Sequence, residues 1–400
     1  MSSLFSDLLV IDCASFIAGP AAATIMSDFG ARVIKIEPPG VGDSYRQLMK
    51  LPGVPQADRD YYWALDSRNK ESLALDLKHD AARPIFEKLV RKADVFITNY
   101  PAPIRRKLHL TSDDVMGLNP RLIYASLTPY GEDGPEKDRT GYDATAWWAR
   151  SGLMDSVRAT ASSEPGLSVP GMGDHPTSVA LYAAIVTALY KRERSGVGSV
   201  VSTSLLANGI WSNSCYLQAA LCGADMSARL ERGQRSALTE IYPCKDGRWF
   251  MLVMINQVKE WPVLLNAISR QDWATDPRFA TPLDRRTNVG ILVRELEDIF
   301  LTKDWAQWQE LFTRAGVTYG PIAKTTDHLT CPQVAANGLL PEYADVPGLR
   351  TVDSPIRMQG EEKKRPVMAP GIGQHTRAVL SEFGLSATEI DSLLESGVVA

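Results

Sequence analysis

Several features that commonly define a function are scarce or absent in this sequence. The five cysteines form no C-x-x-C pair, and their odd number gives no complete set of disulfide bonds. We therefore expect a reducing compartment. No run of about 18 apolar residues occurs, and the N-terminus lacks a basic segment followed by an apolar one, so we expect neither a membrane span nor a secretory signal. These absences favour a cytoplasmic protein.

An excess of positive charge is also lacking. The net charge is −4, whereas nucleic-acid-binding proteins need a basic surface to neutralise phosphates. No convincing cluster of metal ligands is present. The turn after the first apolar run reads Ala18-Gly19-Pro20-Ala21 and lacks the G-x-G-x-x-G pattern of dinucleotide-binding proteins. We therefore expect no nucleic-acid partner, no bound metal and no NAD.

The first part of the sequence alternates between strand and helix patterns. Apolar runs at residues 8–11 and 31–36 predict two strands, and Pro20 opens a helix between them that stops at Gly30. A second helix over residues 81–92 leads into a strand over 93–99, and another strand follows at 121–127. This alternation is typical of an open α/β layer with a parallel sheet.

The composition changes after about residue 225. A polar segment at residues 231–235 precedes a predicted hairpin over 241–254 that turns at Asp246-Gly247. Amphipathic helices are predicted around residues 261–269, 289–301 and 304–315. A capping box formed by Ser386 and Glu389 predicts the start of the last helix. The central region therefore reads as a smaller α+β domain.

A glycine-rich loop precedes a long amphipathic helix in the middle of the sequence. The loop reads Gly171-Met172-Gly173-Asp174-His175-Pro176, and from Thr177 apolar residues recur at the spacing of one helix face. Helix N-termini carry free N–H groups and favour negative charge. Asp174 is therefore a candidate nucleophilic carboxylate, but an aspartate just before a helix is more commonly its N-cap. The residues alone leave both interpretations open.

Short motifs along nearly the whole chain occur in a common order and spacing. They include Gly30-Ala31-x-Val33-Ile34-Lys35-Ile36-Glu37-Pro38, Gly42-Asp43, Asn69-Lys70-x-Ser72, Asn119-Pro120-Arg121-Leu122-Ile123, Gly141-Tyr142-Asp143, Gly173-Asp174, Asp276-Pro277-Arg278-Phe279 and Gly373-x-His375-Thr376. Each motif alone is weak, and only the collinear set is specific. Together they make the chain resemble the class III CoA-transferase family, which also includes α-methylacyl-CoA racemases.

The resemblance implies a particular architecture. It consists of a large Rossmann-like open-sheet α/β domain, built from the N- and C-terminal parts of the chain, and a smaller α+β domain. We accordingly place the N-terminal part of the large CoA-binding domain at residues 1–224, the small domain at 225–330 and the returning C-terminal part at 331–400. The resemblance also implies an interlocked homodimer, in which two chains pass through one another.

The resemblance further implies covalent catalysis by an acyl-CoA:carboxylate CoA-transferase. Asp174 matches the catalytic aspartate of the family, which favours the nucleophile over the N-cap interpretation. In the family's scheme this carboxylate forms a mixed anhydride and then an aspartyl-CoA thioester. The acyl-CoA donor and the carboxylic-acid acceptor are substrates, and no bound cofactor is expected.

Residues that contact CoA are carried over from the same resemblance. Lys70 and Lys107 match basic CoA-contacting positions, and Arg106 adds positive charge beside Lys107. The alternative for this cationic segment is a solvated surface. The full set of expected CoA contacts is Phe16, Ala18, Lys70, Ala102, Arg106 and Lys107.

The expected substrate pocket contains Ile17, Tyr142 and His175. Formyl-CoA transferases carry glutamine and lysine at the positions matching Ile17 and Thr128, so this chain departs from their pattern. Oxalate and formyl-CoA are therefore poor candidates, and an apolar Ile17 suits a larger or less polar acyl group. His175 is a candidate for tuning the neighbouring Asp174, but it is equally a candidate for a capping or space-filling residue.

Three other functions remain open from the sequence. The related racemases place a histidine where this chain has Tyr142, and tyrosine is a poor base at neutral pH, which favours transfer over racemisation. Intramolecular CoA transfer, as in an acyl-CoA isomerase, can use the same aspartate. A non-catalytic CoA-binding protein would bind CoA without turnover.

Overall fold

Six parallel strands form the main sheet of the computed structural model, which describes residues 3–226 and 230–400. Their order is β3-β2-β1-β4-β5-β6, the Rossmann order in which the direction of strand succession reverses between β1 and β4. The α/β fold class predicted from the sequence is confirmed. The strands are β1 Leu9–Cys13, β2 Arg32–Glu37, β3 Lys70–Ala74, β4 Val95–Thr98, β5 Ile123–Thr128 and β6 Ser199–Ser204.

Helices cover both faces of this sheet, as a parallel sheet requires. Helix α1, Ala18–Asp28, and helix α7, Asp174–Ser195, pack against each other on one face. Helices α3 (Ala82–Lys92), α15 (Thr376–Glu382) and α16 (Ala387–Glu395) contribute to the core on the other face.

The other α-helices of the described residues are α2 Tyr61–Asp66, α4 Ala102–Lys107, α5 Ser112–Met116, α6 Leu153–Ser156, α8 Leu205–Ser212, α9 Ser214–Leu221, α10 Gln257–Ile268, α11 Pro282–Thr287, α12 Val289–Phe300, α13 Trp305–Ala315 and α14 Pro332–Ala336.

Contacts divide the chain into two compact units. The first contains residues 1–157, 165–221 and 335–400, and the second contains residues 158–164 and 222–334. In the first unit the C-terminus joins the edge of the main sheet, because the Asp76 N–H donates to the Val398 carbonyl at 2.9 Å. The capping box at the start of α16 is confirmed, since the Ser386 and Glu389 side chains each accept the other's backbone N–H.

The second unit contains a small antiparallel sheet of three strands, β7 Ile241–Pro243, β8 Trp249–Leu252 and β9 Tyr319–Pro321. The predicted hairpin is confirmed by the pairing of β7 with β8. Strand β9 was not predicted. Helices α10, α12 and α13 pack an aromatic core with this sheet, in which Trp273, Trp308 and Phe300 are fully buried. Within the described residues, no helix is both long and apolar enough to cross a membrane.

Two short helical segments of the first unit have unusual geometry. Residues Ser44–Lys50 form a 3-10 helix, and Asp143–Ala149 form a π-helix. π-helical turns are rare and are often found at functional sites. Both segments contribute residues to the cavity described below.

Candidate active site

A cavity of the first unit lies at the carboxyl ends of β1, β4 and β5. This is the position where open α/β sheets bind ligands, beside the reversal of strand order. The cavity has a volume of about 770 Å³, which lies in the range of small-molecule sites. Its lining comprises residues 15–18 after β1, 99–101 after β4, Leu127, Pro129, Leu205, residues 140–144, residues 168–171, Asp174, and Ser44, Gln47, Leu48 and Leu51.

The loop between β1 and α1 is fixed by side chains from two other segments. Asp43 accepts the hydroxyl of Ser15 at 2.7 Å and the backbone N–H of Phe16 at 3.2 Å. Asn99 accepts the Ser15 N–H at 2.8 Å and donates to the Ser15 carbonyl at 2.7 Å. Phe16 has a φ of 62°, a left-handed conformation that costs a non-glycine residue on the order of 1–3 kcal/mol. These bonds therefore hold a strained loop against the cavity.

Four buried charges lie beneath this loop. Lys35 pairs with Asp43 at 2.8 Å, and Lys70 pairs with Asp12 at 2.8 Å and donates to the Pro20 carbonyl at 2.7 Å. Burial lowers the pKa of Lys70, although Asp12 opposes the shift. The expected contact between Lys70 and CoA does not fit this placement. Its ammonium is buried and paired inside the fold, and Lys70 does not line the cavity that contains Asp174.

Asp174 is the first residue of α7, and its side chain lines the cavity. Helix α7 therefore begins three residues before the predicted start, because Pro176 fits a first helical turn, where its missing N–H is not needed. Gly173 is the residue before the helix. A Cβ at Gly173 would lie 2.5 Å from Cγ of Trp147, so the backbone reaches this position only with glycine.

The environment of Asp174 raises the pKa of its carboxyl from 3.8 to about 7. Burial is the largest cause, the charges of Asp143 and Asp66 add to it, and His175 opposes it. Asp143 also accepts the Gly173 N–H at 3.3 Å, which joins the π-helix to the start of α7. The carboxylate is thus poorly solvated, and a poorly solvated anion at a helix N-terminus is suited to nucleophilic attack.

His175 is held behind Asp174 by two acceptors. Its Nε2 lies 3.1 Å from Oδ1 of Asp66, and its Nδ1 lies 3.1 Å from the Gly171 carbonyl. Tyr45 donates its hydroxyl to the other carboxylate oxygen of Asp66 at 2.7 Å. Burial lowers the pKa of His175, but the hydrogen bond and charge of Asp66 outweigh it and the net shift is upward. Because both ring nitrogens face acceptors, the geometry suits the protonated imidazolium.

The structure brings together one group of the residues expected from the sequence. Phe16, Ile17, Ala18 and Tyr142 line the same cavity as Asp174. The rings of Phe16 and Tyr142 meet edge to face, with centroids 5.8 Å apart. His175 does not line the cavity, but its Nδ1 lies 3.1 Å from the carbonyl of the lining residue Gly171.

The expected CoA contacts of α4 lie elsewhere in the first unit. Lys107 lines a second cavity of about 400 Å³, together with Lys78, His79 and Arg83. Ala102 is half-buried and follows Pro101, which lines the first cavity. Arg106 is exposed, with its guanidinium 3.6 Å from the carboxylate of Asp138. Helix α4 therefore connects the two cavities, and a ligand that extends from one to the other would pass it.

Two residues that organise this site were not predicted from the sequence. Asp66 lies 109 positions before His175, and no local pattern indicates their contact. Asp43 was noted only as part of a motif, and its hydrogen bonds to the β1–α1 loop follow from the fold alone.

Comparisons with known proteins show the family of the chain. The chain belongs to CoA-transferase family III, whose family model matches residues 5–376. It is 32% identical over 399 residues to (R)-2-hydroxy-4-methylpentanoate CoA-transferase of Clostridioides difficile, with 99% of each protein covered. It is also 32% identical to acetyl-CoA:oxalate CoA-transferase of Acetobacter aceti, with 95% of each covered.

Solved structures give the same result. A crystal structure of a CAIB/BAIF family protein from Brucella suis superposes with a TM-score of 0.83 at 26% identity, covering 96% of this chain and 100% of that one. The family assignment made from the sequence motifs is confirmed, and the protein is a CoA-transferase that uses CoA thioesters as substrates.

Proposed function

We propose that the protein transfers CoA from an acyl-CoA to a free carboxylic acid through covalent intermediates on Asp174. The observation that carries this proposal is the position of the Asp174 carboxylate. It lines the cavity at the end of the parallel sheet, it is the first residue of a long helix, and its pKa is raised to about 7. At neutral pH and above it is therefore substantially an anion with incomplete solvation.

Four steps complete the transfer. A carboxylate oxygen of Asp174 attacks the thioester carbonyl carbon, the C–S bond breaks, and CoA leaves as the thiolate, which gives a mixed anhydride. The thiolate attacks the Asp174 carbonyl carbon and releases the donor acid, leaving an aspartyl-CoA thioester. The acceptor carboxylate then attacks the carbonyl carbon of this thioester, the C–S bond breaks and CoA leaves again as the thiolate, which gives a second anhydride. CoA thiolate finally attacks the acceptor acyl carbon and restores the Asp174 carboxylate.

The reaction requires no resident cofactor, because each intermediate preserves an activated acyl group. The anionic oxygen that develops at each attack needs hydrogen-bond donors. The β1–α1 loop, from which Ile17 and Ala18 line the cavity, is the nearest candidate on this chain. At the start of α7 the Gly173 and His175 N–H groups already donate to Asp143 and to the Gly171 carbonyl, and Pro176 has no N–H. CoA contacts at Phe16, Ala18, Ala102, Arg106 and Lys107 belong to the same proposal, and the second cavity offers its basic side chains to a phosphate.

We also propose that two chains form an interlocked homodimer in the cytoplasm. The first unit leaves several large apolar side chains exposed on α7 and α8–α9, of which Trp211 is 79% and Tyr190 is 64% exposed. Contiguous exposed apolar surface is typical of an interface. The mass in solution, measured by light scattering, tests this part of the proposal.

An identity exchange tests the transfer without knowledge of the natural acceptor. An acyl-CoA is mixed with the isotopically labelled free acid of the same acyl group, and label entering the thioester is followed. We expect exchange with the wild-type protein and a loss of at least about 1,000-fold in Asp174→Asn. Asp113→Asn, an exposed aspartate at the start of α5, is the matched control that keeps the rate.

The same assay separates the alternatives. Solvent deuterium entering beside the thioester without label exchange would indicate a racemase. Isomerisation of one acyl-CoA without exchange of the labelled acid would indicate intramolecular transfer. Binding of acyl-CoA with neither signal would indicate a CoA-binding protein. Each of these results would overturn the proposal.

A further inference from the structure

The chemistry of the cavity wall points to a particular class of acid. We propose that the acyl group held beside Asp174 is that of a monocarboxylic acid with a medium-sized apolar side chain, and that dicarboxylic acids are discriminated against. This inference rests on the proposed function, because it assumes that the cavity holds the group being transferred.

The wall of the cavity carries negative charge, and the imidazole of His175, next to Asp174, is paired with Asp66 and does not line it. Among the described residues that line it, none is lysine, arginine or histidine, whereas Asp143 and Asp174 are both carboxylates. The second carboxylate of a dicarboxylic acid would enter this space without a partner. Burying an unpaired charge is costly, and the two aspartates add repulsion when ionised.

Cations near the cavity are already committed to other partners. Lys35 pairs with Asp43 at 2.8 Å, below the β1–α1 loop. Arg46, next to the lining residue Gln47, pairs with Glu37 at 2.8 Å. Its guanidinium also lies 3.6 Å from the ring centroid of Trp63. Neither charge is free to accept a carboxylate from a substrate.

The rest of the wall is suited to an apolar group. Aliphatic residues from five segments of the first unit line the same cavity as Asp174. They are Ile17, Leu48, Leu51, Leu127, Val169 and Leu205. A branched aliphatic or aromatic side chain would bury its surface against them, gaining on the order of 25 cal/mol for each Å² removed from water.

Two acids of nearly equal size make the test direct. Succinate and 4-methylpentanoate differ only in that a carboxylate replaces an isopropyl group, so their CoA thioesters fill similar volumes. The identity exchange is run with each acid and its thioester, and with acetate as a small reference. We expect 4-methylpentanoate to exchange with a kcat/KM at least about 100-fold above that of succinate, equivalent to about 2.7 kcal/mol.

A charge placed in the wall supplies a second readout. Gln47 lines the cavity from the 3-10 helix and is exposed, so a longer side chain can be accommodated there. We expect Gln47→Arg to raise the ratio of succinate exchange to acetate exchange at least about 10-fold over Gln47→Met, a neutral control of similar length.

The outcomes separate this inference from the proposed function. Equal exchange of succinate and 4-methylpentanoate by the wild-type protein would overturn the inference and leave the transfer mechanism standing. An unaltered ratio of succinate exchange to acetate exchange in Gln47→Arg would likewise count against it, because the missing cation would not be the cause. No exchange of any acid, acetate included, would overturn the proposed function and the inference with it.

Discussion

The raised pKa of Asp174 predicts that removing its charge stabilises the protein. The change is Asp174→Asn, which keeps the size of the side chain. The folded protein binds the proton of this carboxyl with a pKa of about 7, compared with 3.8 without the fold. Each pKa unit corresponds to about 1.4 kcal/mol, so complete burial would give about 4 kcal/mol at pH 8. The side chain is only partly buried, and we expect about half of this, about 2 kcal/mol.

The sign of the effect follows from the two protonation states. Below the unfolded pKa the carboxyl is protonated in both states and costs no stability. The cost grows as the pH rises toward the folded pKa and is complete above it. Asp174→Asn should therefore exceed the wild type in stability by about 2 kcal/mol at pH 8 and by less than 1 kcal/mol at pH 5.

Denaturant unfolding followed by tryptophan fluorescence at the two pH values measures this difference. Asp113→Asn is the matched control, because it removes an exposed aspartate from a helix N-terminus and should change the stability by only about 0.5 kcal/mol. An Asp174→Asn protein that is no more stable than the wild type at pH 8 would refute the reasoning, as would a gain that does not decline at pH 5.

Three further changes test other contacts of the site. Asp143→Asn keeps an oxygen that can accept the Gly173 N–H but removes a charge that raises the pKa of Asp174. In the wild type we expect kcat/KM to rise with pH near pH 7, and in this variant the rise should move to lower pH. Gly173→Ala places a Cβ against the Trp147 ring and should cost about 1–3 kcal/mol of stability as well as activity. Lys70→Met removes the nearer of the two lysines that pair with the buried Asp12, leaving Lys35 at 3.8 Å, and should cost about 3 kcal/mol, with no change in KM for the acyl-CoA.

Each of these has a result that contradicts it. If kcat/KM of Asp143→Asn rises at the same pH as that of the wild type, the charge of Asp143 does not raise the pKa of Asp174. For Gly173→Ala, the combination with Trp147→Leu should recover part of the lost stability, and no recovery would mean that the clash is not the cause. A raised KM for the acyl-CoA with unchanged stability in Lys70→Met would support the contact between Lys70 and CoA that was expected from the sequence.

Local patterns in the sequence were sufficient for much of the fold. The spacing of apolar residues predicted helix α7, and apolar runs predicted β1 and β2, because these elements bury one face or both. Strand β3 was missed since Lys70, Glu71 and Ser72 are polar. They tolerate burial only because partners from distant segments pair with them, as Asp12 does with Lys70.

In the site, too, residues whose surroundings depend on contacts between distant segments could not be predicted from local patterns. Asp174 was predicted because a motif and a helix start coincide there, and Ile17 was predicted through its neighbours in a motif; both line the cavity. The role of Asp66 depends on a contact across the fold, and the burial of Lys70 depends on one as well. A resemblance supplied a position for Lys70 but not its surroundings, and the surroundings decide whether a charge is available to a ligand.

The central claim is that Asp174 becomes acylated during transfer. The most direct measurement is peptide mass spectrometry after incubation with 4-methylpentanoyl-CoA and a quench with hydroxylamine, which converts an anhydride or thioester at this carboxyl to a hydroxamate. We expect a hydroxamate on Asp174 that requires acyl-CoA and is absent from the Asp174→Asn protein. Exchange of labelled acid at full rate with no hydroxamate on Asp174 under any acyl-CoA would contradict it.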